Sequence, residues 1–287
     1  MKVSKYLKRG IEYIRSGIPI KNITTEIASL APSNLLNGRT ALITGGTSGI
    51  GKAISKAFLK AGANVIITGR DLQRTENVAE ELYGEVKKGK IYAIDINNQD
   101  VESFETKFLE VLNLIGDSKI DILVNNAGVN GGPFFGGSED EYDMVLDTNL
   151  KGTFFLSRIV SSYMIENHIN GNILNLASSS SIRPANSAYA ISKWGIKGLT
   201  LGLAKLLIKH NIVVNGIAPG PTATPMLMKD GDNSISLPQN PSGRYVMPEE
   251  IANLAVILVS SMGRMVVGDI IYVTGGAGVI TYDDVNY

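Results

Sequence analysis

From Arg39 onward, short runs rich in β-branched residues alternate with longer stretches whose apolar residues recur every three or four positions. The runs Thr40–Thr44, Asn64–Thr68, Lys90–Ile94, Ile122–Asn125, Asn172–Leu176, Val213–Ile217 and Ile270–Val273 predict seven strands. They are almost continuously apolar rather than alternating, which suits strands covered by helices on both faces. The strand–helix alternation therefore predicts repeated βαβ units, an α/β fold built on a doubly wound parallel sheet. The stretches Glu139–Glu166 and Ala188–His210 predict two long helices. Ahead of this body, Val3, Leu7, Ile11, Ile14 and Ile18 recur at helical spacing. Pro19 then separates them from a second set, Ile20, Ile23, Ile27 and Leu30. Residues 1–35 are thus expected to be an N-terminal helical extension and residues 36–287 a single domain. The one long irregular stretch, Pro221–Pro248, exceeds an ordinary connection and is expected to form a lid or binding segment.

Composition narrows the function. The hydrophobic fraction of 44% supports a large core, and 27 basic residues balance 27 acidic ones, so no net field draws the chain to nucleic acid. A small-molecule partner is expected instead. The charge is uneven, however: Lys2, Lys5, Lys8, Arg9, Arg15 and Lys21 face only Glu12 in the first 21 residues. That basic amphipathic tail would suit packing on the body, on a neighbouring subunit, or weakly on a partner or membrane surface. Without cysteine and with two histidines, no metal site is expected. No apolar run reaches membrane-spanning length, and Met-Lys-Val-Ser-Lys does not begin a secretion signal, so a cytoplasmic location is expected.

Chemistry concentrates at two places. Thr44-Gly45-Gly46-Thr47-Ser48-Gly49-Ile50-Gly51 follows the first strand and opens a helical pattern carried by Ile54, Ala57, Phe58 and Ala61. Glycines there let backbone approach a ligand closely, and a helix N-terminus presents unpaired N–H groups at the positive end of its dipole. The turn is an anion cradle suited to a diphosphate. Tyr189 and Lys193 lie four positions apart on a predicted helix and so share a face. An ammonium beside a phenol favours phenolate, giving a group able to exchange a proton with a substrate oxygen near neutral pH.

Taken in order, Thr44–Gly51, Asn125-Asn126-Ala127-Gly128, Asn149, Ser178, Tyr189-x-x-x-Lys193 and Pro219-Gly220-x-x-x-Thr224 resemble the motif series of the short-chain dehydrogenase/reductases of the common, 3-oxoacyl reductase-like type. The resemblance spans about Leu36 to Gly276. It implies a single Rossmann-type domain, a nicotinamide dinucleotide, and hydride transfer between a carbonyl and an alcohol by a Ser178–Tyr189–Lys193–Asn149 group. Ser178 would hydrogen-bond the substrate oxygen, with Ser179 as the alternative in a loop shorter than the family's, and Asn149 would hold a water for a proton relay. The cofactor contacts implied are Gly45, Thr47, Ser48, Gly49, Ile50, Gly51, Asp95, Ile96, Asn125, Ala127, Gly128, Tyr189, Lys193, Pro219, Gly220, Thr222 and Thr224. At the end of the second strand, Gly69 stands where NAD-preferring members carry an acid, and Arg70 follows, placed to pair with a 2′-phosphate. NADP(H) is therefore expected, with NAD(H) as the alternative and Asp71 capping the next helix. Substrate identity is open; Arg183, Asn186, Phe134, Met226, Leu227, Met228 and Leu237 are candidate pocket residues. The two long helices are the family's usual subunit contact, which implies a homodimer or homotetramer. A competing reading is a non-catalytic dinucleotide-sensing module that recruits a partner through its basic tail. An epimerase or dehydratase would need a different glycine spacing and an added C-terminal domain.

Overall fold

A strand sandwiched between helices must be apolar at every position, and its odd and even side chains must feed two different cores. The computed structural model, which describes residues 34–228 and 234–281, is built this way. Among the described residues, β1 (Thr40–Ile43), β2 (Asn64–Gly69), β3 (Ile91–Asp95), β4 (Ile122–Asn125), β5 (Asn172–Leu176), β6 (Val213–Pro219) and β7 (Ile270–Val273) form one sheet. Its order is β3-β2-β1-β4-β5-β6-β7, with every neighbouring pair parallel. The helices are α1 (Gly49–Lys60), α2 (Leu72–Val86), α3 (Phe104–Ile115), α4 (Glu139–Leu146), α5 (Gly152–Glu166), α6 (Ala188–Leu207) and α7 (Pro248–Val259). Ala41, Ile43, Val65 and Ile67 point to one core, where Ile54 and Phe58 of α1 meet Ile251 and Val256 of α7. Leu42 and Ile66 point to the other, with Phe108 of α3, Leu156 and Val160 of α5, and Leu207 of α6. All seven expected strands are present, each within two residues of its expected ends. The amphipathic tail, apart from Asn34 and Leu35, lies outside the described residues.

Local chemistry sets the helix ends. The Asp71 carboxylate accepts from Arg74 N at 2.8 Å, Ser138 accepts from Glu141 N, and Ser187 accepts from Ala190 N, capping α2, α4 and α6. The long helix expected over Glu139–Glu166 is interrupted: Asp147–Lys151 widens into a π-helical turn between α4 and α5, with Asn149 buried in it. One extra residue per turn at this point rotates Asn149 inward, an arrangement common at functional positions. No helix among the described residues is long and apolar enough to cross a membrane.

At the end of the sheet away from the strand C-termini, Arg39 clamps several elements. Its Nε donates to Asp121 Oδ1 at 2.5 Å, Nη2 to Asp121 O and Asn172 Oδ1, and Nη1 to Val259 O at 3.2 Å. Burial raises the Asp121 carboxyl above the ordinary aspartate range, and the guanidinium beside it pulls the other way. Arg39→Met should strand that carboxylate and cost about 2–3 kcal/mol, read as a lower urea midpoint with an unchanged slope.

Candidate active site

The strand order reverses between β1 and β4, because the connections from these central strands run to opposite sides. A crevice opens there, at the C-terminal ends of the strands, as it does in open α/β sheets generally. The structure has a cleft of about 880 Å³ at this place. Six strand ends contribute: Gly45–Ile50 after β1, Gly69–Arg74 from β2, Ile96–Asn98 after β3, Asn126–Asn130 after β4, Leu176–Ser180 from β5, and residues from Pro219 to Leu227 after β6.

Thr44 locks the two central strands at the switch. Its hydroxyl accepts from the backbone N–H groups of Asn126 and Ala127, both at 3.0 Å, while Asn126 Nδ2 donates back to Thr44 O and Gly45 O. Gly45 and Gly49 take positive φ of 63° and 52°. A Cβ at Gly51 would collide with Gly45 O and Asn126 Nδ2. Only glycine permits this close turn. Unlike Asp71, Ser138 and Ser187, Ser48 makes no side-chain capping bond to the helix it precedes. The first-turn N–H groups of α1 therefore keep their donors for a ligand, and the cradle fits a diphosphate.

Ser178, Tyr189 and Lys193 line the same cleft. Lys193 is buried, and its Nζ donates to Leu176 O at 2.8 Å, tying α6 to the end of β5. Its Nζ also lies 5.6 Å from the centre of the Tyr189 ring. Desolvation lowers the Lys193 ammonium to a pKa of about 8. Ser178 Oγ accepts from Ser180 N at 3.1 Å and caps the short turn Ser179–Ile182, and Ser181 Oγ donates to Ser178 O. Ser179 and Ser180 also reach the cleft. Asn149 does not line it: its Oδ1 accepts from Val129 N at 2.8 Å, and its Nδ2 donates to Val129 O and Ser192 Oγ. Ser192 Oγ in turn donates to Tyr189 O at 2.7 Å. A Cβ at Gly128 would lie 3.3 Å from Asn149 Oδ1 and 3.7 Å from Lys193 Nζ, so these groups converge on that glycine.

A family model described as short chain dehydrogenase matches residues 39–234. The chain belongs to the short-chain dehydrogenase family. Among its relatives, 3-oxoacyl-(acyl-carrier-protein) reductase of Aquifex aeolicus is 36% identical over 249 residues, covering 84% of this chain and 98% of the relative. The crystal structure of a 3-oxoacyl-(acyl-carrier protein) reductase from Brucella melitensis with bound NAD superposes with a TM-score of 0.78 at 31% identity, covering 88% of this chain and 97% of that one. A Beutenbergia cavernae structure with bound NADP at low occupancy gives a TM-score of 0.76 at 33% identity, over 86% of this chain and 98% of that one. This short-chain dehydrogenase is thus an oxidoreductase acting on alcohol and carbonyl groups, with a nicotinamide dinucleotide, NAD or NADP, as the family's cofactor.

Within the short-chain dehydrogenase, Gly45, Thr47, Ser48, Gly49, Ile50, Arg70, Ile96, Ala127, Gly128, Pro219, Gly220, Thr222 and Thr224 line the cleft. Gly51, Asp95 and Asn125 do not. Gly51 packs inside the turn, Asp95 is ion-paired to Lys107 at 2.9 Å, and Asn125 is buried, donating to Ser157 Oγ and Asn175 Oδ1. Asn126, not Asn125, reaches the cleft and braces the glycine turn. Of the candidate pocket residues, Arg183, Asn186, Met226, Leu227 and Leu237 line the cleft, whereas Phe134 and Met228 do not. Arg74 also lines it, beside Arg70. Sequence reasoning passed over it, although the four-residue spacing from Arg70 across a helix start was the available signal.

Proposed function

We propose that the chain reduces a carbonyl to an alcohol, or runs the reverse reaction, with NADP(H). The observation that carries this is the meeting, in one cleft, of the glycine turn with Ser178, Tyr189 and Lys193. The chemistry supplied by a nicotinamide bound there is hydride transfer to or from the carbonyl carbon. Tyr189 supplies the proton to the developing alkoxide, and the neighbouring Lys193 charge favours its phenolate once the proton has left. Ser178 Oγ accepts from Ser180 N and donates to Ser180 Oγ at 3.3 Å, and turning that hydroxyl proton from Ser180 to the same substrate oxygen gives it a second hydrogen bond. Asn149 fixes Val129 and Ser192 around these groups, and a water held beside it and Lys193 would relay the proton onward.

Gly69 carries no acid at the end of β2, and Asp71 is engaged as a helix cap. Arg70 and Arg74 line the cleft with no ion pair among the described residues, which supports a 2′-phosphate there. Exposed Tyr142, Phe154, Trp194 and Leu201 on α4, α5 and α6 support assembly into a dimer or tetramer through these helices. The test is to follow loss of reduced-nicotinamide absorbance with NADPH or NADH over a panel of ketones. Turnover with NADPH preferred is expected, and cofactor binding with no turnover of any ketone would overturn the reading. Arg70→Ala should weaken NADPH binding about tenfold and leave NADH nearly unchanged. Equal losses for both cofactors would remove the basis for the preference.

A further inference from the structure

The loop Asn130-Gly131-Gly132-Pro133-Phe134-Phe135-Gly136-Gly137 leaves β4 at the mouth of the cleft. Phe134 and Phe135 are 77% and 88% exposed, their rings packed edge to face at 5.0 Å. Two adjacent aromatic rings held in water need an explanation, and looseness is not one, because the backbone leading into the pair is pinned from Gly131 to Phe134. Gly132 N donates to Glu141 Oε1 at 2.9 Å, Ala188 N to Gly132 O at 2.8 Å, and Phe134 N to Asn186 O at 3.1 Å, while Pro133 bridges Ser187. Gly131 and Gly132 take φ of 136° and 67°, a path that a side chain would strain. Two of the anchors, Asn186 and Ser187, lie just before α6 and Tyr189 and line the cleft, as do Val129 and Asn130 where the loop leaves β4, while the two rings stand just outside that lining. From the segment after β6, Met226 and Leu227 line the same cleft while 54% and 44% exposed. Leu227 N donates to Thr224 O at 3.0 Å, so that segment is also turned, not extended away.

We infer that Phe134 and Phe135, with Met226 and Leu227, form an apolar rim to the active-site cleft that receives the hydrocarbon part of the substrate, which makes the substrate a carbonyl compound bearing an alkyl chain or ring and not a sugar. This rests on the carbonyl-reductase reading above. An apolar chain reaching out from a carbonyl held at Tyr189 covers these four side chains and gains their burial; a polyhydroxylated substrate leaves them wet and loses hydration of its own hydroxyls. Asn186 and Gln239 also reach the cleft and are the groups a sugar would use.

The test uses the full chain, NADPH, a series of methyl ketones of increasing length from butanone upward, and a ketohexose. For the wild type, kcat/KM should rise roughly threefold per added methylene. In the double variant Phe134→Ala/Phe135→Ala, the ratio of long-chain to short-chain kcat/KM should fall about tenfold, mainly through KM. An unchanged ratio, or a ketohexose turned over better than every alkyl ketone, overturns the inference. So does a variant that loses its oligomeric mass while keeping the ratio, since the rings then belong to a contact with a second copy. Calorimetric titration with decanol reads the rim without turnover: about tenfold weaker binding in the variant supports it, and equal binding refutes it. If wild type reduces no ketone but still binds decanol through these rings, the reductase reading fails and the apolar rim stands.

Discussion

Tyr189→Phe should lower kcat by about a thousandfold on whichever ketone the wild type reduces, while NADPH affinity stays within about twofold. The substitution keeps the ring that lines the cleft and removes only the hydroxyl, so binding and proton transfer separate cleanly. With no phenol, the developing alkoxide must take its proton from water, and Ser178 alone offers a hydrogen bond but no acid of matched strength. Initial rates and fluorescence titration with NADPH check both halves. A variant that retained a tenth of wild-type kcat would remove Tyr189 from the proton-transfer role.

Lys193→Met should abolish nearly all turnover and, at neutral pH, make the cofactor-free protein more stable. The two effects have one cause. Burial of Nζ disfavours the charged form and brings the pKa from 10.5 to about 8. The unfolded chain, with the ordinary lysine value, therefore holds more protons between pH 8 and 10.5, so wild-type stability rises with pH across that window. Below pH 8 the penalty is fully present. Its gross size is about 3 kcal/mol at 1.36 kcal/mol per unit, offset by about 1 kcal/mol for the lost hydrogen bond to Leu176 O. Lys193→Met should thus gain about 2 kcal/mol at pH 7 in urea unfolding, with the gain fading toward pH 10.5. A variant destabilised at pH 7, or a gain that grew with pH, would contradict this assignment. A lysine kept at such cost fits a group held for chemistry, because a methionine there would serve packing better.

Where hydrophobic pattern alone sets an outcome, the chain could be read directly. The strands Ile122–Asn125, Asn172–Leu176 and Ile270–Val273 fall at their expected positions because each is a short apolar run with turn residues at both ends. The glycine turn was equally legible, since its place between a strand and a helix is a local property. The π turn at Asn149 was not, because an α-periodic pattern does not register one extra residue in a turn. Asn125 and Asn126 could not be told apart either: the two are chemically the same side chain, and the pleat of β4 decides that one faces Ser157 and Asn175 in the core while the other faces the cleft.

The amino-acid order by itself determined the sequence of strands and helices, the diphosphate-sized glycine turn and the pairing of Tyr189 with Lys193 on one helix face, all of which follow from periodicity and neighbours along the chain. Only the tertiary structure decided that Lys193 is desolvated, that Arg74 joins Arg70 at the cleft, that Asp95 is taken by Lys107, and that Phe134 and Phe135 stand in water. Each of these depends on which distant segments come together or stay apart, and burial, pairing and exposure are properties of that meeting rather than of any stretch of chain.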